Sequence, residues 1–202
     1  MKLIFESERI EDYLGEIQPY IRFDTPLVKE KIKFIESKTA DPKERAKLAF
    51  EIARDEIHHS FDTKEPEVTI SAEAVLKSCN GICFAKSHLL ATLLRGMSIP
   101  CGFCYQRVLR KTNNPNSGHA LHGLNAVYLK DYGWFRLDPR GNKAGVDSQF
   151  SIETEKLAYP IRPEFGEIDY PNVFTKPLDS VIRSMESSKD TAELFFKRPE
   201  EI

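Results

Sequence analysis

Apolar positions recur at helical spacing through the first half of the chain and then change to strand spacing. From Thr25-Pro26 onward, Val28, Ile32 and Ile35 share one face; from Asp41-Pro42, the stripe runs through Ala46, Ala49, Phe50, Ala53 and Ile57. A short polar residue before proline is a strong helix start. Its side chain can accept from the first-turn N–H groups, and proline lacks an N–H that the first turn could not use anyway. Residues 1 to about 60 therefore read as helical. The polar stretch 61–69 predicts a loop, and Ser71 to Leu76 a short helical segment. A further buried helix carries Ile82, Ala85, Leu89 and Leu93 as its core-facing stripe, with Asn80 placed to cap it and Gly81 to turn the backbone sharply. Gly96 and Pro100 mark its end.

Beyond Pro100 the pattern changes. Pro100 to Leu109 is a strand rich in aromatic and apolar residues, and Lys111 to Gly118 is a turn-forming loop. His122 to Leu129 alternates as a strand covered on both faces. Asp131-Tyr132-Gly133 makes a tight hairpin into a return strand, Trp134 to Asp138. Residues 141–202 differ in texture, with prolines at 160, 163, 171 and 177 among aromatics, then two helices, Leu178 to Ser187 and Asp190 to Phe196. The expectation is one domain over 1–202. Its α+β core, about 25–140, packs N-terminal helices and the Cys83 helix on an antiparallel sheet. Residues 141–202 form an extension that wraps this core and covers one side of the cleft.

Composition narrows the function classes. A hydrophobic content of 41% and charged content of 30% describe a globular chain. The net charge of −2 gives no basic excess to neutralise phosphates, so nucleic acid is not the expected partner. The short basic run Arg107 to Lys111 reads as a solvated loop edge. No apolar segment reaches the roughly 18 residues of a membrane span, and the N-terminal apolar run is too short for a signal peptide, so a cytoplasmic location is expected. In that compartment the four cysteines (79, 83, 101 and 104) would be reduced thiols.

Cys83 is the candidate of most interest, because it opens a helix. The positive end of the helix dipole favours the thiolate, which is the nucleophilic form. His122 heads a strand, and Asp138 follows the only tryptophan, Trp134. Nucleophile, base and orienting acid in that order suit acyl transfer through a thioester. Cys79, Cys83, Cys101 and Cys104 also permit a four-thiolate zinc site, although positions 101 and 104 would point to opposite faces of a strand. His119 reads as a substrate-side or solvent residue and His88 as a surface or packing residue of the Cys83 helix. His58-His59 reads as a helix-end pair without a functional role.

The ordered motifs Gly81-Ile82-Cys83, Leu93-Leu94-Arg95 with Ile99-Pro100, the strand headed by His122, and Gly133-Trp134 with Asp138-Pro139 resemble the transglutaminase-like superfamily of papain-like cysteine enzymes. The likeness spans roughly Ala46 to Pro139. It implies a small stand-alone microbial-type member with Cys83 as nucleophile, His122 as base and Asp138 as the residue fixing the imidazole. It also implies no cofactor, and peptide or protein amides as substrates for hydrolysis or transamidation. Three departures stand out. Phe84 follows the nucleophile where the cross-linking enzymes have tryptophan, and no tryptophan lies upstream to hold an oxyanion. Gly123-Leu124 and Arg140 replace the usual residues after the histidine and after Asp-Pro. The alternatives are a non-catalytic binding module of the same fold and a zinc-stabilised structural domain. The arylamine acetyltransferases share the residue order, but the Arg-Gly-Gly that precedes their nucleophile is absent here.

Overall fold

The computed structural model describes residues 1–202. In chain order the elements are β1 (Ile4–Phe5), α1 (Pro26–Lys38), α2 (Pro42–Glu51), β2 (His58–His59), α3 (Ser60–Thr63), α4 (Ala72–Ser78), β3 (Asn80–Gly81) and α5 (Cys83–Gly96). They continue with β4 (Cys101–Leu109), β5 (His119–Leu129), β6 (Gly133–Leu137), β7 (Ile168–Asp169), β8 (Asn172–Val173), α6 (Asp179–Glu186) and α7 (Thr191–Lys197). The architecture is α+β, as the pattern predicted. A four-stranded antiparallel sheet, in the order β6-β5-β4-β7, carries α5 on one face. The helices α1, α2 and α4 pack on α5 from its other sides.

Local chemistry accounts for most of the boundaries. Asp41 accepts from Lys43 N–H at 2.8 Å at the start of α2, and Ser71 caps α4 through Ala74 N–H. Val28, Ile32 and Ile35 are buried on α1; Ala46, Ala49 and Phe50 are buried on α2. The stripe continues through Ala53 to Ile57, but the helix widens into a π turn over Ile52–Glu56 and Ile57 is already extended. This turn frees carbonyls, and the buried Lys86 ammonium donates to those of Arg54 and Ile57.

Several expectations need correction. Residues 1–25 are not helical beyond one 3-10 turn at Ile10–Tyr13; β1 runs parallel to β8, and Tyr13, Phe5 and Trp134 cluster over the back of the sheet. Within the stretch 61–69, residues to Thr63 belong to the short turn of helix α3. Asn80 does not cap α5. It lies in β3, opposite His58, and the cap residue is Ile82, which offers no side-chain acceptor. Gly81 is extended and faces His59 in the parallel β2–β3 pair. The sharp turn falls one step earlier, at Cys79 (φ 51°). What Gly81 supplies is closeness: a Cβ there would fall 3.0 Å from Ala85 Cβ and 3.1 Å from Thr69 Oγ1.

The apolar stripe on α5 understates its burial, since every residue from Cys83 to Arg95 is buried. Arg95 shows how such a helix is held. Its guanidinium donates to the carbonyls of Cys101 (2.6 and 2.9 Å), Gly15 (2.7 Å) and Thr175 (2.6 Å). One side chain thereby joins the end of α5 to β4, the N-terminal segment and the C-terminal region. Arg95→Met, of similar length and without donors, leaves the buried Cys101 carbonyl and the part-buried carbonyls of Gly15 and Thr175 without this donor. It is expected to cost about 2–4 kcal/mol of stability, read from the midpoint of urea unfolding at constant slope.

Candidate active site

α5 places Cys83 in its first turn, β5 supplies His122, and Asp138 follows the last residue of β6. The β5–β6 register, with Asn125 opposite Leu137, brings the histidine and the aspartate together across the hairpin. His122 Nε2 lies 2.8 Å from Asp138 Oδ2. That leaves Nδ1 free on the side of the thiol, and Cys83 and His122 stand close enough for each to shift the titration of the other. The structure therefore brings the three sequence-predicted residues into one line.

The electrostatics of the line are mutual. Burial alone would disfavour charge on the His122 imidazole, yet the Asp138 carboxylate and the Cys83 sulfur beside it push its pKa up to about 10. Burial likewise opposes the Cys83 thiolate. The His122 charge outweighs it, with Arg198 and the Gly123 N–H contributing, and holds the thiol below its ordinary value. Burial opposes the Asp138 charge as well, but His122 and two backbone donors keep the carboxyl below its usual range. Those donors are Ala158 N–H at 2.9 Å and Arg140 N–H at 3.1 Å. The other buried thiols behave differently. Burial raises Cys104 strongly and pushes Cys101 up to about 12.

The N-terminus of α5 has no side-chain acceptor at its cap, so its first-turn N–H groups keep their donor capacity beside the sulfur. The departures from the expected motif also have physical reasons. A Cβ on Gly123 would fall 2.8 Å from the Phe84 ring, so the glycine after the histidine and the phenylalanine after the cysteine are one packing solution. Arg140, after Asp-Pro, pairs with Asp62 at 2.6 Å and with the Tyr159 hydroxyl at 2.8 Å. The Tyr159 ring meets His122 edge-on at 4.9 Å.

Cys83 and His122 line a cleft of about 650 Å³ together with His59, Phe61, Arg110, Arg140, Tyr159 and Arg198. Here two further readings of the sequence fail. Arg110 lines this cleft half-buried and is not a solvated edge, whereas Lys111, at the rim, is exposed as expected. His59 is no plain helix-end residue: it is buried in the cleft wall, held neutral by desolvation and by the cations of Arg140 and Lys86. Neither has a sequence signal of its own, because loops remote in the chain converge on the cleft. His119 sits at the start of β5, bound to Phe165 O at 2.8 Å, outside the cleft. His88 is a packing residue, 2.8 Å from Ile70 O and edge-on to Phe103. The four thiols do not converge either. Cys79 is exposed, Cys101 and Cys104 lie in separate apolar clusters, and no three His, Cys, Asp or Glu side chains stand close enough to hold an ion.

Comparison with known proteins follows the same line. A family model described as the transglutaminase-like superfamily matches residues 30–139. Among solved structures, a candidate cysteine protease from Cytophaga hutchinsonii superimposes with a TM-score of 0.51 at 17% identity, over 66% of this chain and 43% of its own. The periplasmic domain of TgpA from Pseudomonas aeruginosa gives 0.47 at 17% identity, over 63% and 45%. A protein described as a TGase gives 0.45 at 14% identity, over 78% and 42%. The chain thus spans less than half the length of each of these structures. No curated protein matches. The first structure shares the fold, and the family model covers more than half of the chain, so the protein belongs to the transglutaminase-like superfamily.

Proposed function

We propose that the protein is a cysteine-dependent amide or peptide hydrolase acting through Cys83, His122 and Asp138. The observation that carries this reading is the buried line of thiol, imidazole and carboxylate, in which burial opposes charge on every member and their mutual contacts shift all three toward the charged form. A charged triplet of this kind, out of water, is costly to maintain for stability alone.

In the proposed reaction the Cys83 thiolate attacks the amide carbonyl carbon, and the carbon–oxygen π pair moves onto oxygen. The Cys83 N–H at the start of α5 faces that oxyanion. As the intermediate collapses, the carbon–nitrogen bond breaks and the His122 imidazolium gives its Nδ1 proton to the leaving amine. A thioester remains. Water, losing a proton to His122, then attacks the thioester, which releases the acid and restores the thiolate. Asp138 holds the ring through Nε2 and stabilises its cation throughout. An amine in place of water would give transamidation. The likeness to small stand-alone microbial members favours water.

The pH dependence of iodoacetamide alkylation, mapped over all four cysteines by mass spectrometry, tests the nucleophile. Cys83 is expected to react selectively well below the free-thiol value of about 8.5. Its reaction should persist as pH rises, since loss of the imidazolium proton through about 10 leaves the thiolate in place. The sign for stability follows from the same shift. His122 binds its proton more tightly folded than unfolded, so its contribution is complete below about 6.5 and fades as pH rises through about 10. His122→Ala should raise the apparent Cys83 pKa toward the free value. A Cys83 that alkylates no faster than Cys79 in the wild-type protein would favour the binding-module alternative instead.

A second variant addresses the packing that aligns the pair. Gly123→Ala pushes the Phe84 ring and, with it, the first turn of α5. Its alkylation rate at Cys83 is expected to fall about tenfold or more while the fold persists, since sub-ångström misplacement of reacting groups is costly. A rate and circular dichroism spectrum equal to the wild type would show that this contact does not position the thiol.

A further inference from the structure

The cleft carries more positive charge than the reaction uses. Six of its lining residues are Arg or Lys, against two carboxylates, on a chain whose net charge is −2. Both carboxylates are already committed. Asp62 pairs with Arg140 and Lys143, and Glu167 pairs with Arg162 at 2.6 Å.

Arg198 is the buried cation without an anion. The residue is 8% exposed, lines the cleft, and forms no ion pair with any carboxylate of the chain. Its side chain makes one long hydrogen bond, from Nε to Phe195 O at 3.4 Å, so its terminal nitrogens have no protein acceptor. The guanidinium lies over two rings that meet edge-on, 5.0 Å from the Phe61 centroid and 4.9 Å from that of Phe195. Its backbone is pinned to the catalytic strand: Pro199 O accepts from Leu121 N–H at 2.7 Å, one residue before His122, and Arg198 O accepts from Arg110 at 3.1 Å. Burying an unpaired guanidinium is costly, and the planar fork fits a carboxylate through two parallel hydrogen bonds. The rings restrain its rotamers, so little entropy is left to lose when an anion arrives.

We propose that Arg198 is a carboxylate-binding subsite, and that the substrate is an amide bearing a carboxylate close to the scissile carbonyl. This rests on Cys83 being the nucleophile, as proposed above. The competing role for Arg198 is to serve the Cys83 thiolate, whose titration it influences. A subsite discriminates between substrates; a thiolate partner does not.

Iodoacetate and iodoacetamide separate the two, since they deliver the same alkylating carbon and differ in carboxylate against carboxamide. Both meet the same thiolate population at a given pH, so the ratio of their rates is blind to any shift in the Cys83 pKa. Relative to the exposed Cys79 of the same molecule, Cys83 is expected to favour iodoacetate by about tenfold or more, as one charge-assisted bidentate contact allows. Arg198→Gln should return the ratio to that of Cys79, and Arg198→Lys should keep an intermediate preference. An unbiased ratio in the wild type, or equal losses with both reagents in Arg198→Gln, overturns the subsite. A reading independent of the thiol uses Cys83→Ala. Millimolar glutarate is expected to raise its melting temperature, glutaramide is not, and Arg198→Gln in that background removes the difference. No glutarate effect overturns the proposal however the thiol behaves. Glutarate binding beside an unreactive Cys83 supports the subsite and sinks the nucleophile alone.

Discussion

Burying a helix on every side obliges each of its polar side chains to find a partner inside the protein, and α5 meets that obligation with backbone carbonyls from the elements around it. Lys86 takes those of Arg54 and Ile57, Ser87 that of Leu124 and His88 that of Ile70; Thr92 bonds back to His88 O, and Arg95 reaches three separate segments. Each bond exchanges an otherwise costly unpaired group for a fixed distance between α5 and a neighbour. The sum of those distances is what sets the first turn, and therefore Cys83, against β5. Cys83 is thus positioned from along the whole length of its own helix.

Most of the helices and the hairpin were legible in the sequence because they follow from periodicity and caps. Pro26, Asp41 and Ser71 mark starts by local chemistry, and the alternation in 122–129 needs no tertiary information. The residues Cys83, His122 and Asp138 were legible because motif order survives even where neighbours change. Asn80 and Gly81 misled for a specific reason: both suit a cap, but the parallel pairing of β2 with β3 claims that backbone first. His59 and Arg110 were illegible in the same way. Their roles come from loops that converge on the cleft, and a linear pattern carries no trace of that convergence.

Electrostatically the protein separates two tasks that composition averages together. A net charge of −2 gives no basic excess overall, yet it says nothing about a cleft whose cations outnumber its carboxylates. Local potential follows placement, and a low-dielectric wall strengthens it. Within that wall the charges are not equivalent. Arg140 is neutralised by Asp62 and so acts as a strut, holding α3 to the turn after β6, whereas Arg198 is held by rings and keeps its charge for something else.

The same contrast bears on where specificity is written in this chain. The family model ends at residue 139, just past the third member of the line. The groups that surround the line come from beyond it: Ala158 N–H on the Asp138 carboxylate, Tyr159 against the His122 ring, and Arg198 beside the thiol. Residues after 139 also hold that region in place, through Asp169 and Glu155 on the buried Arg136 of β6. A sequence can keep Cys83, His122 and Asp138 through motif constraints while the wall around them is rebuilt from a segment under none of those constraints. Under the proposed function, reaction type and substrate choice are then carried by different parts of the chain, and only the first of them belongs to the stretch that the superfamily model matches.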